Sequence, residues 1–278
     1  MHQALSLERE ATSDAQLSVS SDPTICYCSS VARSFEQARA HFDYEEVLKF
    51  ILSMIASNFY AKPDIQILDL GCGTGLLTIP LAKRYPYAQF IGVDRSQAML
   101  DIACKKAGAD KVRWEVQDAL SLSYPDNSID VVLMSNLLHH FQNPQNVVEQ
   151  AVRVLKPKGV IINVYGAIED IAEDPEHTYF PTALRIDCAR TPAKRHVERW
   201  YRECDLYGIA SHKRSIKLAS GAHERIERAK DRHISVLHMI PESEFQRGIE
   251  SLQKAVDTIS DTTWWCYQGV TITTAIKP

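Results

Sequence analysis

The sequence predicts an α/β fold in which a mostly parallel sheet carries helices on both faces. Three observations lead there. Strand-sized apolar runs alternate with helix-spaced ones from residue 65 to residue 164. The first run leads directly into a glycine-rich turn at 71–75, and the second ends on an acid, Asp94.

The elements follow in order. Val47, Leu48, Ile51, Leu52, Met54 and Ile55 recur at helical spacing, so a helix is predicted within 34–59. Lys62-Pro63-Asp64 ends that pattern, and residues 65–70 read as a buried strand. Residues 76–85 have helical spacing, with Pro80 shortening or bending the first turn. A second strand is predicted at 89–93, then a helix to Lys106 capped by Ser96 and stopped by Gly108. Residues 112–116 alternate as a third strand, and 129–134 are continuously apolar, as a strand covered on both faces requires. Asn143-Pro144 opens a helix whose apolar face is Val147, Val148, Ala151, Val152 and Leu155. Lys156-Pro157-Lys158-Gly159 turns the chain into a fifth strand at 160–164.

The alternation stops at Glu169. Between 169 and 240 the chain is mixed, charged and rich in Tyr, His and Arg, which predicts a helical insertion serving as a substrate lid or an interface. Tyr179, Phe180, Trp200, Tyr201 and Tyr207 are there to line an apolar pocket or to form the insertion's own small core. A helix follows Pro241. Two β-branched and aromatic runs, 262–267 and 270–276, flank Gln268-Gly269 and predict a closing hairpin. The expected organisation is a flexible arm at 1–25, a core at 26–168, the insertion at 169–240 and a C-terminal helix with hairpin at 241–278.

Composition narrows the function classes. The 278 residues are 45% hydrophobic and 24% charged with a net charge of −4, so no broad basic field exists to hold a nucleic acid. Apolar runs are far shorter than a membrane span, which argues against a membrane partner. Seven cysteines without a secretory leader read as reduced thiols in a cytoplasmic protein. Neither the cysteines nor the ten histidines have metal-ligand spacing, so no metal is expected.

The chemistry lies in Ile67-Leu68-Asp69-Leu70-Gly71-Cys72-Gly73-Thr74-Gly75. Glycines serve where a backbone turns sharply and a ligand approaches it closely. Asp94, at the end of the second strand, suits the two hydroxyls of a ribose. A dinucleotide fingerprint would need a third glycine where Leu76 stands. Asp69, two residues before the first glycine, would repel a phosphate and suits a ligand bearing an ammonium group.

At these residues the chain resembles the class I S-adenosylmethionine-dependent methyltransferases. The likeness extends through Val116-Gln117-Asp118-Ala119 and through 124–132, which is similar to the quinone and small-molecule subgroup. It implies a Rossmann-like, seven-stranded sheet with an antiparallel last strand, and S-adenosylmethionine as cofactor. It further implies that Gly71, Cys72 and Gly73 line the methionine part, with Asp69 near its ammonium. Asp94 would take the ribose, Arg95 and Met99 would flank the adenine, and Asp118 with the Ala119 N–H would read its edge. Asn136 would sit near the sulfonium. His139 and His140 follow the fourth strand and are the candidate catalytic bases, His140 slightly favoured.

The expected function is methylation of a small-molecule metabolite or natural product at an O, N or C atom. Transfer of a group other than methyl, or regulatory binding without turnover, are the alternatives. Motifs of nucleic-acid amino-methyltransferases and the paired glutamates of protein arginine methyltransferases are missing. Nothing in the sequence sets the oligomeric state, and a dimer is compatible with the insertion.

Overall fold

A computed structural model describes residues 29–39, 42–60, 62–232, 234–258 and 266–278. The expected arm at 1–25 lies outside them. The chain opens with α1 (Ser29–Arg39) and α2 (Glu45–Asn58), so the single predicted helix is two. Alternation then runs β1 (Gln66–Leu70), α3 (Thr78–Arg84), β2 (Gln89–Asp94), α4 (Gln97–Ala103), β3 (Val112–Val116), β4 (Ile129–Ser135), α5 (Pro144–Val154) and β5 (Leu155–Tyr165). Ser96 caps α4 as expected, its hydroxyl accepting the Met99 N–H at 3.3 Å.

The sheet has seven strands in the order β3-β2-β1-β4-β5-β7-β6. Strands β1 to β5 are mutually parallel, while β7 (Tyr267–Ile276) runs antiparallel to β5 and β6 on either side of it. Apolar side chains bury both faces. Leu68, Leu70, Val132, Met134 and Ile161 pack under α5, and Ile67, Leu133, Val160 and Ile162 pack under α2 and α3. The acid in β4, Asp130, is buried at the opposite end of the sheet from the glycine turn. It accepts from Lys62 at 2.6 Å, Lys156 at 2.7 Å and the Gln66 N–H at 3.0 Å, so it is a structural charge.

The predicted hairpin is corrected. Gln268 and Gly269 are paired within β7, opposite Ile216 and Ser215. Strand six is β6 (Tyr207–Lys217), drawn from the segment expected to be a helical insertion. Two causes are physical. Gly269 does not adopt the positive φ that a two-residue turn demands. And β6 is an edge strand, where Ser, His, Lys and Arg are tolerated, so its sequence carries no apolar run. The first half of the expected hairpin, up to residue 265, falls outside the described residues.

The remaining elements are α6 (Ile168–Ala172), α7 (Pro181–Arg190) and α8 (Lys194–Glu203) before β6, with α9 (Ala222–Lys230) and α10 (Glu242–Thr258) after it. They contribute two small apolar clusters of their own, one around Phe180, Leu237 and Phe245, the other around Ile226, Leu252 and Val256. The 169–240 stretch is therefore two helical excursions on either side of a core strand.

Candidate functional site

The strand order reverses between β1 and β4, and such a switch point opens a crevice beyond the strands' carboxyl ends. The glycine turn enters it from β1. Gly71 and Cys72 both donate their N–H groups to the Val93 carbonyl, at 2.8 and 2.9 Å, which holds the turn over β2. Gly71 has φ of 75°, and a Cβ there would stand 2.5 Å from Leu137 Cδ1 on the far side of the crevice. Only glycine meets both demands. From behind, the Lys106 ammonium ties the Thr74 carbonyl at 2.8 Å to Glu36 of α1 at 2.7 Å.

Two carboxylates frame this turn. Asp94 accepts the Gly73 N–H at 2.9 Å on one oxygen and the Ser96 N–H at 2.8 Å on the other, leaving further lone pairs toward the crevice. Burial raises its pKa, and those two backbone donors oppose the rise. Asp69 is buried, and its Oδ2 accepts the Thr78 hydroxyl at 2.5 Å. Its Oδ1 has no hydrogen-bond partner among the described residues. Burial pushes the Asp69 carboxyl up to about 7, with the Thr78 bond lowering it and the charge of Asp94 adding to the rise. A buried, unsatisfied carboxylate oxygen is costly in the empty site and is satisfied by a cationic ligand.

A single cavity of about 660 Å³ extends from this turn, within the size range of small-molecule sites. Asp69, Gly71, Cys72, Gly73, Asp94 and Arg95 line one half of it. Met99, Ala119 and Asn136 also reach it, the last at φ of 49° where β4 ends. Asp118 does not. Its carboxylate accepts the Leu120 N–H at 2.9 Å and lies exposed, while the neighbouring Gln117 lines the cavity.

His139 and His140 also line the cavity, in a 3-10 turn after β4, with ring centroids 4.0 Å apart. Burial and then the charges of Arg190, Arg95 and Arg39 push His140 down to about 4. Burial, His140, Arg190 and Arg39 hold His139 well below its ordinary value. Both imidazoles are neutral at physiological pH.

The second half is built by residues without a local motif. Arg39 comes from α1, His177 from the turn before α7, and Asp187 and Arg190 from α7. Phe42, Tyr44 and Phe141 add apolar surface. Of the aromatics expected either to line a pocket or to form a core, Phe180, Trp200 and Tyr201 are buried in packing cores and Tyr207 is half exposed. No group of His, Cys, Asp and Glu among the described residues could hold a metal ion, and no described helix is long and apolar enough to cross a membrane.

Comparison with known proteins settles the family. Residues 67–159 match the family model described as a methyltransferase domain. The 2-phytyl-1,4-naphtoquinone methyltransferase of Synechococcus elongatus is 31% identical over 174 residues, covering 58% of this chain and 72% of that protein. The chain belongs to the S-adenosylmethionine-dependent methyltransferases. The demethylmenaquinone methyltransferase of Lactobacillus johnsonii is 42% identical over 99 residues, which is 34% of this chain. That match spans only 41% of the Lactobacillus protein's length. Among solved structures, phosphoethanolamine N-methyltransferase 2 of Haemonchus contortus superposes with a TM-score of 0.57 at 16% identity, covering 91% of this methyltransferase-family chain and 58% of the other. At that identity the likeness is one of fold.

Proposed function

We propose that this chain transfers a methyl group from S-adenosylmethionine to a small-molecule metabolite or natural product. One observation carries the reading: the glycine turn with its two carboxylates and the neutral histidine pair open into one cavity. Asp69 Oδ1, buried and unsatisfied among the described residues, fits the ammonium of the donor's methionine part. Asp94 fits the ribose hydroxyls, and Met99, Gln117 and Ala119 offer a slot for the adenine. S-adenosylmethionine bound there supplies a methyl group already activated by its sulfonium.

The chain's own part is to hold the acceptor in line and to share the proton of its reacting O–H or N–H. Positioning of this kind is worth roughly 7–11 kcal/mol of a barrier. The neutral imidazoles accept a hydrogen bond from an acceptor O–H or N–H. With its pKa near 4, His140 is a weak base, better fitted to orient the acceptor and share its proton than to remove it beforehand. The segments 168–206 and 218–232 close the cavity over the acceptor, since His177, Asp187, Arg190 and Arg232 belong to them. The quinone-type names among the relatives support a ring-bearing acceptor.

The test is mass spectrometry of small-molecule extracts incubated with the protein and deuteromethyl-labelled donor. A deuteromethylated product matched by S-adenosylhomocysteine release is expected, falling at least about tenfold in a His139→Ala/His140→Ala variant. Transfer of a different group would overturn methylation. Undiminished turnover in the variant would overturn the role of the histidines.

A further inference from the structure

The acceptor half of the cavity has an electrostatic character that the methyltransferase reading leaves unexplained. Its lining charges are Arg39, Arg190, Arg232 and a protonated His177 against the carboxylates of Asp187 and Asp231. Arg232 is also engaged by Glu242 from outside. Arg39 stacks on the Phe35 ring, 4.1 Å from its centroid, at the C-terminal end of α1.

Arg190 is fixed by a buried charged chain. Its guanidinium meets Asp187 Oδ1 at 2.6 and 2.8 Å, and Asp187 Oδ2 meets His177 Nε2 at 2.9 Å. Asp174 stands 4.0 Å from the other ring nitrogen of His177 and pairs with Arg225 at 2.6 Å. Burial alone would lower the His177 pKa, but Asp174 and Asp187 together outweigh it and raise it to about 10. His177, Asp174 and Arg225 are each more than nine-tenths buried, as is Asp187, so the chain is built into the fold rather than laid on its surface. Removing several charges from water is expensive and is offset only where they pair closely, as these do.

We propose that the acceptor carries an oxyanion, a carboxylate above all, which docks on the wall that Arg39 and Arg190 share with His139 and His140. The site then takes acidic small molecules and discriminates against their neutral analogues. The proposal rests on the methyltransferase reading for the word acceptor, but the anion site stands on the residues alone. Asp187 takes the Nε and Nη2 donors of Arg190 and so acts as its positioning residue, while Nη1, 3.8 Å from Met239 Sδ, lies on the other edge of the planar guanidinium, the edge a carboxylate would meet. The positive field at the histidines is the same field an anionic ligand would meet: Arg190 and Arg39 act on both rings.

The experiment is calorimetric titration of the protein saturated with S-adenosylhomocysteine, using benzoate and its neutral counterpart benzamide. Benzoate is expected to bind at least about tenfold more tightly. That advantage should vanish in Arg190→Gln and shrink in Arg39→Gln, while both variants keep their affinity for S-adenosylhomocysteine. Arg39 lies outside the buried chain, so its variant tests the proposal even where Arg190→Gln fails to fold. Equal binding of the two probes would overturn the proposal, as would an advantage that survives in both variants. It would also be overturned if the variants lost S-adenosylhomocysteine instead of benzoate, because the guanidiniums would then be holding the donor's own carboxylate. If the native protein binds no S-adenosylhomocysteine, the donor reading fails separately, and the two probes on the free protein still read the anion site.

Discussion

The two halves of the cavity are assembled by opposite means. The donor half is local: the glycine turn, Asp69 and Asp94 lie within 26 residues and are held mostly by backbone bonds to β1 and β2. The acceptor half draws Arg39, His177, Asp187 and Arg190 from segments about 140 residues apart and holds the last three by charge pairs. A backbone-built half tolerates change around it but not within it. A charge-built half is coupled to its supports, so distant substitutions reach it.

That contrast is sharpest at Arg225, remote from the donor turn. Arg225→Leu leaves Asp174 buried without its 2.6 Å partner, and breaking such a pair costs roughly 3–5 kcal/mol. Denaturant unfolding is expected to show that loss, while S-adenosylhomocysteine affinity at temperatures where the variant is folded stays within about threefold. A collapse of donor affinity in the folded variant would dissolve the distinction between the halves.

A smaller effect comes from pH. Because the Asp69 pKa is raised to about 7 in the folded protein from an ordinary 3.8, the free protein gives up stability as pH rises through that window. Donor binding runs the other way, since an ionised Asp69 attracts an ammonium. Affinity for S-adenosylhomocysteine should rise about tenfold as pH climbs through 7, and Asp69→Asn should flatten the profile. A profile unchanged by the substitution would remove Asp69 from the donor site.

The smallest effect is expected at Asp118. Its carboxylate serves Leu120 and lies outside the cavity, so Asp118→Ala should weaken S-adenosylhomocysteine by less than about threefold. Gln117→Ala should weaken it more. The reverse order would mean that Asp118 turns inward when the adenine arrives.

The same contrast decides what could be read from the sequence. The five parallel strands, the glycine turn and Asp94 were legible because each is a short-range pattern with its own period or spacing. Strand β6 was not, since an edge strand of mixed polar residues has no apolar signature. Phe180, Trp200 and Tyr201 could be read as pocket lining or as core and prove to be core, because an aromatic side chain does not announce which face it buries. Arg190 and Asp187 carried a faint signal, an acid and a base three residues apart on a helix. Nothing local tied them to His177 or to Arg39.

The central claim is that the turn at 71–75 and Asp94 form the donor site, and calorimetric titration with S-adenosylhomocysteine tests it most directly. Single-site micromolar binding by the native protein is expected, weakened about a hundredfold in a folded Asp94→Ala variant that has lost a charged hydrogen-bond acceptor. Binding that Asp94→Ala leaves intact, or a folded native protein that binds neither S-adenosylhomocysteine nor S-adenosylmethionine, would contradict it.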